Sequence, residues 1–154
     1  MAGEPDGPER PEAPFGRRLC EVLEARETGG YHLFGLIDRE GPAPAAGQFY
    51  MLAAAPEWSG EGGRPYLPRA ISHARLSPGP SGGHRLQFLI DQVGPGTSRL
   101  ARMKAGEECW LAGPFGHGFS PPRDLNPEAA GAILVGGGIG IAPMAVLRRQ
   151  LVGR

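Results

Sequence analysis

The sequence predicts a mainly β fold: a small six-stranded antiparallel barrel or sandwich with one short helix, followed by a single β-turn-α unit of α/β type. Three observations predict it. From residue 17 onward, short apolar, β-branched and aromatic runs recur at close spacing. The 26 Gly and 17 Pro fall mostly between those runs, where turns belong. Near residue 132 the texture changes, and a continuous apolar run meets a cluster of glycines and then a helical period.

Residues 1–16 hold four Pro, four acidic residues and one aromatic, and read as a disordered leader. Residues 17–28 and 31–38 flank Gly29-Gly30, a two-residue hairpin signal. Residues 48–55 (QFYMLAAA) are apolar on both faces, as in a strand covered on both sides. Residues 67–76 and 84–93 follow, and in the latter Leu86, Phe88 and Ile90 alternate with Gln87 and Asp91. Residues 108–112 (ECWLA) make a shorter sixth run. Between the fifth and sixth, residues 97–104 read as a helix, with Leu100 and Met103 at i, i+3 and Thr97 or Ser98 placed to cap its start. The barrel is therefore expected over 17–119 and a Pro-containing linker over 120–131. The β-α unit begins at 132: a strand at 132–135, a glycine turn at 136–140 and a helix at 141–152. Met144, Leu147 and Leu151 are expected on that helix's apolar face, with Arg148 and Arg149 pointing away.

Composition excludes several classes. Net charge is zero, which leaves no electrostatic footprint for nucleic acid. No apolar run approaches the ~20 residues of a membrane span, and residues 1–16 contain no signal-peptide core. The two cysteines, Cys20 and Cys109, are far apart in sequence and belong to no CxxC, so they offer neither a zinc nor an iron–sulfur ligand set. Two isolated thiols suit a reducing cytoplasm and read as small buried hydrophobes. His32, His73, His84 and His117 show no metal-ligand spacing.

Four segments carry candidate chemistry. Arg69, Ala70, Ile71 and Ser72 form an R-x-x-S strand. An arginine there can pair with a phosphate through its planar fork, and the serine can hydrogen-bond the edge of a ring system. Taken alone, the same pattern fits a strand with an exposed arginine. Gly94-Pro95-Gly96-Thr97 opens the short helix, fitting either an anion approached by free N–H groups or a plain helix cap. The loop 113–119 (GPFGHGF) sets two aromatic rings either to pack against a flat ligand or to close the barrel's end. Finally, residues 133–143 (ILVGGGIGIAP) have the strand-glycine-helix order that brings a dinucleotide pyrophosphate to a helix start, although the spacing is not GxGxxG.

In this order, the four segments resemble the ferredoxin–NADP reductase superfamily, over residue 17 to the C-terminal end. Within it the similarity is greatest to the electron-transfer subunits of class 1B dihydroorotate dehydrogenases. There QF-x-ML, R-x-x-S, G-x-GT and GP-x-G-x-GF occur in this succession; here they fall at 48–52, 69–72, 94–97 and 113–119. The resemblance implies a Greek-key flavin-binding barrel that holds FAD, followed by the start of an NAD-binding domain over 132–154. It implies that Arg69 contacts the FAD pyrophosphate and that Ser72 lies by the reactive edge of the isoalloxazine. Ala70 and Ile71 would pack around the ring, with Leu89, Ile90 and Asp91 lining it from the next strand. Gly96 and Thr97 would bind the diphosphate, and Gly136, Gly137, Gly138, Gly140 and Pro143 would floor the approach of NAD(H). The implied role is electron transfer between NAD(H) and a catalytic dihydroorotate dehydrogenase subunit of pyrimidine biosynthesis, in the cytoplasm. Another reductase subunit of the superfamily and a non-catalytic flavin-binding module are the alternatives. The sequence departs from the family in three respects. Ile71 stands where a bulkier or aromatic residue is usual, the nucleotide domain is incomplete, and the cysteines for the family's [2Fe–2S] cluster are absent from this chain.

Overall fold

The computed structural model describes residues 16–55 and 67–152; the expected leader lies outside the described residues. Six strands close into one antiparallel barrel: β1 (Arg18–Thr28), β2 (Tyr31–Asp38), β3 (Phe49–Ala54), β4 (Arg69–Pro78), β5 (His84–Ile90) and β6 (Glu108–Phe115). Around the ring they run β1-β2-β5-β4-β3-β6, so the chain's first and last strands are neighbours. Closure leaves no strand with an unpaired edge.

Each strand forms for a reason visible locally. β1 and β2 are joined by Gly29 and Gly30, both at positive φ (56° and 84°), which suits a two-residue hairpin turn of the kind that follows strand twist. The β2–β5 ladder is regular from His32↔Ile90 to Asp38↔His84. On β5, Leu86, Phe88 and Ile90 are all fully buried, as the alternation requires. They meet Val22, Phe34, Leu36, Tyr50, Leu52 and Leu111 in one core. Tyr50 meets Phe88 edge-on, with ring centroids 5.8 Å apart.

The short helix α1 (Pro95–Ala101) seals one end of the barrel. It starts two residues earlier than the sequence suggests. Gly94 is the N-cap, and Thr97 does not cap as the first residue: its hydroxyl reaches back from the third helical position to accept from the N–H groups of Val93 and Gly94, at 3.1 and 3.2 Å. Leu100 and Met103 are buried against the core, as their spacing predicts.

β6 runs three residues beyond its expected end, because Gly113, Pro114 and Phe115 continue the ladder instead of entering the loop. Phe115 pairs with Phe49, their rings 5.8 Å apart. Gly113 sits at φ 128°, and a Cβ there would lie 3.0 Å from the Phe49 carbonyl oxygen, so only glycine lets the strand pass. The same Gly113 carbonyl accepts from Arg18 at 2.8 Å. Arg18 also makes a two-pronged bond to Asp38, at 2.8 and 2.7 Å. The pair is nearly enclosed, with side chains 9% and 1% exposed. Burial works against the guanidinium's charge, but the Asp38 hydrogen bond and charge outweigh it and the Arg18 pKa rises.

Beyond the barrel come α2 (Pro122–Leu125), a 3-10 turn at Gly138–Gly140, and α3 (Ile141–Val152). The expected strand at 132–135 does not form. Those residues enter no ladder, and Ile133 and Val135 are 93% and 85% exposed. A parallel strand exists only through its neighbours, and no described strand lies beside this run. The helix is present with the expected bounds, but its deepest residues are Ala142 and Val146, packed towards β4; Met144, Leu147 and Leu151 are half-buried. Arg148 and Arg149 are exposed, as expected. The Gln150 side chain accepts from the Ala46 N–H at 3.4 Å, which ties α3 to the barrel. No helix among the described residues is long and apolar enough to cross a membrane.

Candidate functional site

A cleft of about 390 Å³ opens between the start of β4, the end of β5 and the start of α3. One wall is the whole R-x-x-S segment, Arg69, Ala70, Ile71 and Ser72. Leu89, Asp91 and Thr97 form its base, and Ile139, Gly140, Ala142 and Pro143 face them from the other side. Three of the four candidate segments thus contribute to one place, with Leu89 and Asp91 beside them; of Gly94–Thr97 only Thr97 lines the cleft, and the loop 113–119 does not reach it.

The geometry gives each residue a distinct position. Arg69 and Ile71 pair with Leu52 and Tyr50, which are interior residues, so these two share the barrel's inner face at its open end. Ile71 accordingly packs in part against the core. Ser72 and Ala70 lie on the other face of the strand, opposite Phe49 and Met51. On β5 the alternation separates two expected ligands from a third. Leu89 and Asp91 reach the cleft, whereas Ile90 is fully buried in the barrel core, so its side chain does not line the cleft. Pro143 and Gly140 line the cleft, while Gly136, Gly137 and Gly138 shape the turn behind it. Gly136 lets the turn close on its helix: a Cβ there would stand 3.1 Å from the Ile141 Cα.

The residues at the mouth fit a phosphate-bearing ligand. Gly96 lies directly beneath the Arg69 side chain, and a Cβ on Gly96 would fall 2.4 Å from the guanidinium Nε. Glycine at 96 therefore lets an arginine fork lie flat across the backbone, where it is open to the cleft. A phosphate held there gains charge-assisted, two-pronged hydrogen bonds.

Behind the cleft wall sits a polar residue whose placement the sequence did not reveal. His73 follows Ser72 and turns inward, fully buried, with Nδ1 3.3 Å from the Gln48 carbonyl oxygen. Burial lowers its pKa, which the Gln48 hydrogen bond offsets only in part, so it is held neutral. His73 continues the inward alternation of Arg69 and Ile71 and stands opposite the buried Phe88; the register shift between His73 and Arg75 follows it. Nothing in the spacing of the four histidines distinguishes it. The cysteines, separate in sequence, are register partners across β1 and β6. Burial is the main cause that pushes both thiols up to about 12, which fits their reading as small core residues. Among the described residues no cluster could hold a metal ion.

Two larger hollows lie elsewhere. One, of about 690 Å³, is rimmed by Glu21, Arg39, Glu107 and Glu108; the other, of about 570 Å³, lies between Phe119, Leu125, Leu147 and Leu151. Neither joins R-x-x-S to the glycine turns, and convergence of polar groups, not size, marks a site.

No family model matches the chain. Its sequence is 35% identical, over 137 residues, to the dihydroorotate dehydrogenase B (NAD(+)) electron transfer subunit of Clostridium perfringens, covering 89% of this chain and 47% of that protein. The protein of the same name from Clostridium acetobutylicum is 38% identical over 105 residues, covering 68% and 37%. Among solved structures, the ferredoxin reductase of a carbazole 1,9a-dioxygenase superposes with TM-score 0.70 at 25% identity, covering 92% of this chain and 40% of that one. A ferredoxin NADP+ reductase from Neisseria gonorrhoeae, solved with bound FAD and NADP, gives 0.56 at 23%, covering 90% and 52%. Fold and sequence together point to one class: the chain has a six-stranded antiparallel barrel that matches the flavin-binding domain of ferredoxin–NADP reductase-type proteins. Within that class it is similar to the dihydroorotate dehydrogenase B electron transfer subunits, and it spans half or less of their length.

Proposed function

We propose that the cleft binds FAD and that the chain is the flavin-holding part of an electron-transfer oxidoreductase working between NAD(H) and a partner dehydrogenase. The observation that carries this reading is the Arg69 guanidinium laid across Gly96 at the mouth of a cleft walled by Ile71, Ser72 and Leu89. In it, Arg69 pairs with the pyrophosphate, and Gly96 and Thr97 give the diphosphate close backbone approach. A diphosphate ligand is what such a pairing favours over a monophosphate. Ser72 and Asp91 offer a hydroxyl and a carboxylate to the polar edge of a planar ring, while Ala70, Ile71 and Leu89 supply its apolar bed. Ile90 contributes through its backbone only.

When bound, the flavin supplies the exchange between two-electron and one-electron transfer, and the protein's own work is to hold and orient it. Gly140 and Pro143 form the facing wall, and Gly136, Gly137 and Gly138 keep that wall close to β4. A nicotinamide ring approaching the cleft would enter over this turn. Asp91, exposed at the base, keeps that end of the cleft polar. Similarity to the electron transfer subunits makes a catalytic dihydroorotate dehydrogenase subunit the proposed partner and pyrimidine biosynthesis the proposed setting, with the cytoplasm as the proposed location.

The test is the visible spectrum of the purified chain after incubation with FAD and desalting. A retained flavin spectrum, with FAD released on denaturation, supports the reading; a folded but colourless protein overturns it. A second reading, flavin binding without turnover, is favoured by the run at 132–135, which enters no ladder among the described residues. Addition of NADH separates the two: bleaching of the bound flavin supports transfer, and an unchanged spectrum supports the second reading.

A further inference from the structure

We propose that the GPFGHGF loop and the turn before β3 form a clasp that fixes the tilt of α3, with Gln48 and Gln150 as its positioning residues. The bonds of the clasp stand by themselves; their consequence for a bound flavin rests on the reading above.

The loop at 113–119 is the one candidate segment that the cleft does not use. Its two rings pack elsewhere: Phe115 against Phe49, and Phe119 over Gly47, where a Cβ would come within 3.0 Å of the ring. Gly47 stands at φ 100° in a turn over 45–48, which the Gln48 N–H closes on the Ala45 carbonyl at 3.1 Å. The Gln48 side chain then bonds in two directions. Its Oε1 accepts from the Ala45 N–H at 2.8 Å, and its Nε2 donates to the Gly116 carbonyl at 2.8 Å. One side chain thus holds the turn shut and binds the loop to it. Ala46, buried within the turn, accepts through its carbonyl from the Phe119 N–H at 2.8 Å and donates through its N–H to Gln150 Oε1 at 3.4 Å. The loop and the end of α3 therefore hang on the two polar groups of a single residue. Phe119 also faces Leu147 and Leu151 across one hollow.

At 12 residues, α3 is a rod of about 18 Å. Its first turn carries Ala142 and Pro143 in the wall facing β4, and its last carries Gln150. Fixing the far end of a rod fixes the angle at which its near end meets the barrel. Gln48 and Gln150 line no part of the cleft, and they set its width through α3. The two supply opposite groups. The Gly116 carbonyl can only accept, so Gln48 must donate; the Ala46 N–H can only donate, so Gln150 must accept. The same change, Gln to Glu, removes the needed donor at 48 and keeps the needed acceptor at 150.

The experiment follows amide hydrogen exchange by mass spectrometry in the full chain, with and without FAD. Wild type is compared with Gln48→Glu, Gln150→Leu, Gln150→Glu and Gln87→Leu. Gln87 bonds Glu24 on the outside of the barrel and controls for the loss of a hydrogen bond as such. Gln48→Glu and Gln150→Leu are expected to speed exchange over 141–152 roughly 3- to 10-fold, the effect of one hydrogen bond, and to leave β2 and β5 unchanged. Gln150→Glu and Gln87→Leu should match wild type over 141–152. With FAD bound, iodide should quench the flavin fluorescence more strongly in the two loosened variants. Unchanged exchange in Gln48→Glu, a rise spread evenly over barrel and helix, or equal effects of Gln150→Glu and Gln150→Leu would each overturn the clasp. Faster exchange with unchanged iodide quenching would overturn its control of the cleft. A wild-type chain that binds no flavin would overturn the flavin reading, and the exchange data would still decide the clasp.

Discussion

Phe88 and Ile133 both sit in apolar runs that read as strands, yet Phe88 is fully buried and Ile133 is 93% exposed. The difference lies in their neighbours. β5, which holds Phe88, has β2 on one side and β4 on the other, and its inner face meets residues from every part of the ring. The run at 132–135 has glycines and a helix after it but, among the described residues, no strand beside it. Intrinsic preference for extended backbone is the same in both places. A strand is stabilised by ladder bonds and cross-strand packing, and both come from elsewhere in the chain. The barrel therefore carries the stability, and the C-terminal unit is held to it chiefly through Ala142, Val146 and the Gln150–Ala46 bond.

The largest test of that contrast is truncation in the core. Phe88→Ala should cost about 3–5 kcal/mol of unfolding free energy, read from urea denaturation, because it leaves a cavity among Tyr50, Phe34 and Leu36. Nearly as large is Asp38→Ala, expected to cost about 3 kcal/mol by the same measurement, since it strands the Arg18 cation in a nearly closed site. A cost below 1 kcal/mol would mean that the tie between β1, β2 and β6 is not part of what holds the ring. Function should separate from stability at Arg69→Gln. FAD affinity should fall roughly 10- to 100-fold, followed by fluorescence quenching, while the urea midpoint stays near wild type.

A smaller effect is expected with pH. His73 is held neutral in the folded protein, with its pKa below the usual 6.5. The unfolded chain thus binds the proton more readily. The contribution of His73 to stability is complete above about pH 6.5 and declines as pH falls from there towards the folded-state pKa. Urea midpoints at pH 7.5 and 5.5 should show the decline in wild type and a reduced decline in His73→Asn. A larger decline in the variant would assign the dependence to other groups. Least of all, Ile133→Ala should change stability by no more than about 0.5 kcal/mol, since the side chain is already in solvent. A loss comparable to that at Phe88 would erase the contrast between the two regions.

The same contrast explains what the sequence disclosed. Alternation at Leu86, Phe88 and Ile90 and the glycine pair at 29–30 are local signals for local geometry, and both strands flanking them fall where expected. The R-x-x-S and G-x-GT segments could be found by type and order, and they do converge on one cleft. What was not legible depends on distant partners. Gly113, Pro114 and Phe115 read as a loop because the partner that makes them a strand, Phe49, is remote in sequence. Thr97 read as a first-position cap because its backward reach to Gly94 is a matter of three-dimensional geometry. The facing of Cys20 and Cys109 and the pairing of Arg18 with Asp38 leave no periodic trace at all, whereas His73 faces inward by the same alternation as Arg69 and Ile71. For Ile90, the rule that alternate residues face apart would have been enough to remove it from the cleft.

The adjacency of β1 and β6 has one more consequence, for the order in which the strands are written. Arg18 stands opposite Leu111, so the two chain ends of the barrel meet on the same side of the ring. A short polar linker from residue 115 back to residue 18, with new termini opened at the exposed turn around Ser81 and Gly82, would leave every neighbour relation in the ring unchanged. In such a circular permutant of the barrel R-x-x-S would be read after G-x-GT instead of before it, and the barrel's own side of the cleft would still assemble, without the facing wall that Gly140 and Pro143 supply.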